Sequence, residues 1–332
     1  MKIFLFISAL FISCVMMSQS TAGITGISDT GYNVQAEFRK TVKSFPGISI
    51  AEEISSDAIS AEKNITYCNI GSRKLALDVF QPIRKTGKTS KCIIMIHGGG
   101  WRSGNRTLHY PLAQKLATMG YVCVTPEYRL STEALYPAAV HDLKAVVRWV
   151  RRNATTYRID TNAVIVAGHS AGGELAAFLG ATNGMALFEG GNCHIGVWSK
   201  VNAVIDIDGI LAFMHPESGE GDDSKRISAA TNWFGYSKTE NPAVWNEASP
   251  LTHVGKYTVP VLFMNSSVDR MHAGQNDFIK GLDKDNIYAE VKTFKGAPHS
   301  FPLFHPWFDT TIAYIDTFIK RVTPDHKEPK SK

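Results

Sequence analysis

The sequence predicts an α/β fold: a mostly parallel sheet covered by helices on both faces. Three observations carry this. From Cys92 onward, short apolar runs alternate with amphipathic runs at helical spacing, and strands buried on both faces read as continuous apolar segments. The run 137–153 places Ala139, Leu143, Val146, Val147 and Val150 on one helical face. The apolar run 162–167 leads through Gly168-His169-Ser170-Ala171-Gly172 into a helical run 170–179, the pattern of a sharp strand-to-helix turn.

Taken in order, the chain opens with Lys2, an apolar run 3–17 and a polar stretch 18–22. A cationic start, an apolar centre and small residues before a cut describe a secretory leader, and the run is short for a membrane span. We expect a signal peptide over 1–22 with processing near Ala22, and hence a periplasmic or secreted protein. Lipid attachment at Cys14 is the alternative. Residues 23–62 are polar and irregular, with a short helix expected near 34–42, and read as an arm lying on the domain. The catalytic domain is expected over 63–324, followed by a polar tail 325–332.

Within the domain, strands are expected at 65–70 and 74–80, where Leu75, Leu77 and Val79 alternate with other residues at the period of a half-buried strand. Further strands follow at 92–96, 121–125, 162–167, 201–207, 259–264 and 288–294, about eight in all. Helices are expected at 108–119, 137–153, 170–179, 273–282 and 306–322. Residues 215–257 break the alternation. They are too long for a simple connection and carry Trp233, Phe234, Tyr236 and Trp245, so they read as a small cap over the carboxyl edge of the sheet, where ligands bind in open α/β folds.

Composition narrows the function classes. The chain has 332 residues, 44% of them hydrophobic and 20% charged, enough for a large core. The net charge is +5, but the basic residues are scattered rather than gathered into the face or stripe that nucleic-acid binding requires. No nucleic-acid partner and no membrane span in the mature chain are expected. Cys68, Cys92, Cys123 and Cys193 follow the leader. Export permits disulfides, and the pairing of the four stays open, although Cys92 and Cys123 sit in apolar strand-like runs where free thiols are commonly buried. There is no C-x-x-C spacing. We expect no metal and no cofactor.

The candidate chemistry assembles around Ser170. Small residues at Gly168 and Gly172 let the backbone turn tightly enough to project its hydroxyl. Upstream, His97-Gly98-Gly99-Gly100-Trp101 follows the strand 92–96. Three glycines let this loop aim backbone N–H groups outward. With the N–H of Ala171, they would bind the oxyanion of a tetrahedral intermediate. The base should be a late histidine. His299, in the loop after strand 288–294, is preferred over His272 and His305. The acid should fall between serine and histidine in chain order. Asp269, a few residues after strand 259–264, is preferred, with Asp277, Asp206 and Asp208 as alternatives. Aromatic rings suit sugar faces, and Trp101, His169, His272 and Trp307 are candidate substrate contacts beside the wider set Trp233, Phe301, Phe304 and Phe308. Packed core is the competing reading of these rings.

These motifs, with Glu127-Tyr128-Arg129-Leu130, Tyr136-Pro137-Ala138-Ala139, Asp142 and Arg148-Trp149 in order between them, resemble the α/β-hydrolase superfamily over residues 65–322. The likeness is to the H-G-G-G-containing esterases related to hormone-sensitive lipase, and to bacterial feruloyl and acetyl-xylan esterases. Later stretches, Asp206-Ile207-Asp208-Gly209, Glu247-Ala248-Ser249-Pro250, Met271-His272-Ala273-Gly274 and Pro298-His299-Ser300-Phe301, are similar to exported bacterial carbohydrate esterases. The resemblance implies an α/β-hydrolase fold with a triad of Ser170, His299 and Asp269. It implies an oxyanion hole of Gly99, Gly100 and Ala171, with Tyr128 and Arg129 structural. One departure stands out: Asn265-Ser266-Ser267 occupies the place where relatives usually have His-Gly-Asp. The implied activity is a serine carboxylesterase removing acetyl or other short acyl groups from plant polysaccharide fragments such as pectin or xylan. A general short-chain or lipase-like esterase, a serine peptidase and a non-catalytic carbohydrate-binding homologue are the rivals.

Overall fold

The structure, a computed structural model, describes residues 18–83 and 89–324; most of the expected leader and the polar tail lie outside them. Ten strands and nine α-helices follow one another among the described residues. Helix α1 (Val34–Thr41) and strand β1 (Ser49–Ile50) belong to the arm, and β2 (Ile59–Ile70), β3 (Arg73–Pro82) and β4 (Ser90–Ile96) lead into the domain. Then come α2 (Tyr110–Thr118), β5 (Val122–Pro126), α3 (Ala138–Arg152), α4 (Ala154–Tyr157), β6 (Ile159–His169), α5 (Ala171–Ala181) and β7 (Ala203–Ile207). The remainder is α6 (Ala229–Phe234), α7 (Pro242–Glu247), β8 (Val261–Asn265), α8 (Gln275–Lys284), β9 (Ala289–Thr293), β10 (Phe304–His305) and α9 (Trp307–Val322).

Eight strands form one sheet in the order β2-β3-β5-β4-β6-β7-β8-β9. Strands β2, β3 and β5 pair antiparallel, and every pair from β5–β4 to β8–β9 is parallel. The apolar runs split between the two faces at the period of two that a strand imposes. Cys92, Ile94, Ile96, Val164, Val166, Val261 and Phe263 enter one core, beneath α3, α5 and α8. Ile93, Met95, Ala163, Ile165, Ala167, Leu262 and Met264 enter the other, beneath α2 and α9. Continuous hydrophobicity in sequence is thus two alternating half-sets in space.

Two strands run beyond their expected bounds. β2 begins at Ile59 because β3 pairs with it along its whole length, Ile59 opposite Pro82. β6 reaches from Ile159 to His169 because β4 and β7 extend the ladder at its two ends. Partner strands set these limits, and local composition does not carry them.

The arm packs closely on the domain. Asn33 caps α1 by accepting from the Ala36 N–H at 2.9 Å, Phe38 meets Phe304 edge-on at 5.9 Å, and β1 pairs with β10. The Tyr32 N–H donates to Ser103 Oγ at 2.8 Å, and Thr41 Oγ1 lies 3.1 Å from Ser300 Oγ. Residues 18–22, expected to leave with the leader, also touch the fold: the Ser20 N–H donates to the Gly235 carbonyl at 2.7 Å.

Cys68 and Cys193 form a disulfide with their Cα atoms 5.6 Å apart and a sequence separation of 125. Cys92 and Cys123 are free and buried. The bridge ties β2 to the excursion between α5 and β7, and cross-linking so distant a pair constrains the unfolded chain strongly. Replacing both bridge cysteines by alanine is expected to cost about 2–4 kcal/mol, read as a lower denaturation midpoint under non-reducing conditions, with the reduced wild type matching the variant.

Beneath the carboxyl edge lie three buried histidines, His97, His109 and His169. Burial pulls His97 down to about 4. Burial, with His97 adding to it, pulls His109 down to about 3; both ring nitrogens of His109 lack a hydrogen-bond partner among the described residues. The unfolded chain therefore protonates position 109 near pH 6.5 while the folded chain does not, so falling pH favours unfolding. His109→Leu removes that proton uptake. Urea midpoints should show the variant gaining on wild type as pH falls from 7.5 to 5.5, at up to about 1.4 kcal/mol per pH unit below 6.5. A constant difference would contradict a neutral His109.

Candidate active site

Ser170 stands between β6 and α5 with φ 59° and ψ −124°. A non-glycine residue at positive φ is strained, and the surroundings hold it there. The Ser170 N–H donates to the Ile207 carbonyl at 2.8 Å. A Cβ on Gly168 would strike the Gly172 carbonyl, and one on Gly172 would strike the backbone of Ile96 and His97. A Cβ on Gly98 would come within 2.6 Å of the His169 carbonyl. The glycines of the elbow and of the preceding loop are there because three backbone segments touch at one point.

The loop after β4 is shaped to match. Gly99 and Gly100 have φ of 121° and 61°, and a Cβ at Gly99 would run into the Ser103 carbonyl. The N–H groups of Gly99 and Gly100 make no backbone hydrogen bond among the described residues. Ala171 is the first residue of α5, so its N–H has no intrahelical acceptor and sits at the positive end of the helix. His97 supports the loop from below. Its ring stacks on Tyr128 at 4.5 Å, and the Tyr128 hydroxyl donates to the His97 carbonyl at 2.9 Å. Arg129 is held by Asp142 through two side-chain bonds of 2.7 and 2.8 Å. Both residues brace the scaffold.

His299 lies in the loop after β9 and lines one cavity of about 630 Å3 with Ser170, Ala171, Gly99 and Gly100. Its Nδ1 is 2.9 Å from Asp208 Oδ2. Asp269, the expected partner, is not at this imidazole. It is exposed at the start of a 3-10 turn, Asp269–His272, and lines a second cavity with Asn265, His272 and Gln275. The turn carries its carboxylate away from the catalytic cavity. Asp208, at the end of β7, takes the place instead. Its backbone is itself left-handed, with φ 53°, which aspartate tolerates better than most residues. Asp277 is also elsewhere, bonded to Lys280 at 2.8 Å on the surface of α8. Asp206 is buried against Gly173 and Gly209, with its Oδ1 accepting from the Gly209 N–H at 2.8 Å.

Asp208 is well supplied with donors. His299 holds Oδ2, while His272 Nε2 at 2.9 Å and the Ser266 N–H at 2.7 Å hold Oδ1. Burial alone would push this carboxyl up; the hydrogen bonds from His272, His299 and Ser266 outweigh it and hold it below the usual carboxylate range. The unusual Asn265-Ser266-Ser267 stretch explains itself here. Ser266 anchors Asp208, and Ser267 holds the His299 loop, its Oγ accepting from the Gly296 N–H at 2.6 Å and its N–H donating to the Ala297 carbonyl at 3.0 Å.

Of the candidate substrate contacts, Trp101 lines the cavity that holds Ser170 and His299, whereas His169, His272 and Trp307 do not. His169 is buried, and its Nε2 lies 2.8 Å from the His299 carbonyl, so it supports the His299 loop from beneath. His272 faces Asp208. Trp101 stacks on Trp233 at 4.9 Å, with planes 6° apart, and its Nε1 donates to Glu174 at 2.9 Å; the residue packs into the core and also lines the cavity. Trp307 packs edge-on against Phe45 of the arm at 6.0 Å. Trp233, Phe301, Phe304 and Phe308 are likewise buried in cores. The cap is small, its two helices α6 and α7 held down by this aromatic packing. The residues missed in sequence, Tyr32, Glu37 and Lys40 of the arm and Arg226 and Arg270 of the cap side, line the cavity only through long-range docking.

Known proteins agree with this architecture. A family model, BD-FAE, matches residues 77–276, more than half of the chain. Esterase LipC of Mycobacterium tuberculosis is 29% identical over 196 residues, 58% of this chain and 48% of its own. Esterase LipQ of the same organism is 26% identical over 208 residues, 60% and 47% respectively. The chain spans about half the length of these curated relatives. Among solved structures, a truncated carbohydrate esterase from gut microbiota superposes with a TM-score of 0.67 at 23% identity, over 81% of this chain and all of that one. The propionate-bound Est2 esterase of Thermogutta terrifontis gives 0.65 at 21%, over 82% and 97%. With its parallel eight-stranded sheet, its serine at a strained strand-to-helix elbow and this match, the chain has an α/β-hydrolase fold and belongs to the BD-FAE family.

Proposed function

We propose that this protein is a serine carboxylesterase that hydrolyses short acyl esters of a polar, carbohydrate-type alcohol, with Ser170, His299 and Asp208 as the reacting set. One observation carries the reading: His299, held through Nδ1 by a buried carboxylate, lines the same cavity as the hydroxyl of a strained elbow serine.

In the proposed reaction, Ser170 Oγ attacks the acyl carbonyl carbon while its proton passes to His299 Nε2. The oxyanion is received by the N–H groups of Gly99, Gly100 and Ala171. Asp208 keeps the Nδ1 proton in place and stabilises the imidazolium. The intermediate collapses with loss of the alcohol, which takes the proton from Nε2. Water then repeats the sequence on the acyl-enzyme, releasing the carboxylic acid and the free serine. No cofactor enters any step.

The cavity wall supports a polar substrate. Glu37, Lys40, Arg102, Glu220, Arg226 and Arg270 all line it, whereas a long acyl chain calls for a mostly apolar channel. One structural relative is a carbohydrate esterase, in line with acetylated plant polysaccharides such as pectin or xylan as the source of the alcohol. The disulfide and the leader-like start support export, since such bridges persist in oxidising compartments.

A serine-directed phosphonate should label the protein at Ser170 and abolish p-nitrophenyl acetate hydrolysis, with Ser170→Ala unlabelled and inactive. Unchanged hydrolysis by Ser170→Ala would falsify the reading. Asp208→Asn should lower kcat on the order of a hundred- to ten-thousand-fold, while Asp269→Asn should lose far less; the reverse order would return the acid role to Asp269.

A further inference from the structure

Behind the catalytic cavity lies a second one of about 440 Å3, lined by Asn265, Asp269, Arg270, His272, Gln275 and Asn276, with Glu217 at its side. Its size falls in the range of small-molecule sites, roughly 300–1,000 Å3. Arg270 lines both cavities, so the two share one wall.

The chemistry of the wall is specific. Asn265 and Gln275 are each 8% exposed, yet neither side-chain amide has a hydrogen-bond partner among the described residues. Their polar atoms are not sealed off either, since they are absent from the fully enclosed, unpartnered groups of the described chain. Buried amides of this kind find partners, and here the partner must come from the cavity. Asp269 and Asn276 add an exposed carboxylate and an amide without side-chain partners among the described residues. Glu217 is partly engaged, its Oε2 accepting from the Gly274 N–H at 3.0 Å. The set offers paired donors and acceptors in planar groups, which suits hydroxyls, each of which both donates and accepts. A bare anion would meet Asp269 and Glu217, and an alkyl chain would strand the amides.

We propose that this cavity is a hydroxyl-binding subsite that takes a neighbouring sugar unit of the alcohol portion of the substrate. It deepens the esterase reading and rests on it, because it names what the leaving group extends into. The subsite passes directly behind the catalytic acid, with His272 on its wall and the His272 Nε2 on Asp208.

Titration calorimetry of the full chain with xylotetraose and, separately, with trigalacturonate reads the site without catalysis. At least one sugar should bind, and Gln275→Leu should weaken it tenfold or more. Asn276→Ala, at an exposed position that a folded chain tolerates, should weaken it too, which keeps the test sound if Gln275→Leu unfolds. In parallel, the ratio of kcat/KM on an acetylated oligosaccharide to that on p-nitrophenyl acetate should fall at least tenfold in Gln275→Leu, chiefly through KM. Binding of neither sugar, or wild-type binding by both variants, overturns the subsite. Sugar binding by a wild type without ester hydrolysis would remove the esterase reading and leave the subsite; hydrolysis without sugar binding would remove the subsite alone.

Discussion

The backbone contact among the end of β4, the elbow and the start of α5 is the constraint on which the site depends. Gly98, Gly168 and Gly172 each meet another main chain where a single methyl group would not fit. That contact holds Ser170 in a left-handed conformation. It also sets the loop bearing Gly99 and Gly100 beside the first N–H of α5. The proposed nucleophile and oxyanion donors are therefore positioned by one packing event, and the strain at Ser170 is held by the backbone contacts around it.

The charge-bearing half of the site is built from three other strand ends. Asp208 leaves β7, Ser266 and Ser267 leave β8, and His299 follows β9. Two histidines and a backbone amide converge on one carboxylate, so the carboxylate stays ionised in a buried place where desolvation opposes charge. Their hydrogen bonds also fix the rotamer of His299 against its orienting group. Fixing the imidazole in one tautomer is what an orienting carboxylate contributes to acyl transfer. His169 completes the arrangement from below by meeting the His299 carbonyl.

The cavity walls come from segments far apart in the chain. The arm contributes Tyr32, Glu37 and Lys40, and the cap side contributes Arg226 and Arg270. Both segments are held by apolar packing: Phe38 on Phe304, and Trp233 on Trp101 of the cavity wall.

Local pattern determined a good deal by itself. The apolar alternation foretold the parallel sheet because strands buried on both faces have no other way to satisfy their surroundings. The glycine spacing foretold the elbow and the tight loop after β4 because steric exclusion at a turn is a local matter. That Ser170 and His299 would meet in one cavity was legible from a motif and a late strand-end loop. The carboxylate was not. Asp208 and Asp269 both follow strand ends in the right chain order, and only the course of the 3-10 turn after β8 carries one away while the left-handed bend after β7 brings the other to the imidazole. The aromatic residues were ambiguous because a ring in a core and a ring at a cavity wall read alike in sequence: Trp101 both packs on Trp233 and lines the cavity, while Trp307 packs on the arm. Tertiary docking alone decided which of them packed, which charges reached the cavity, and that Cys68 and Cys193 met, since those outcomes depend on distances between segments that no local pattern encodes.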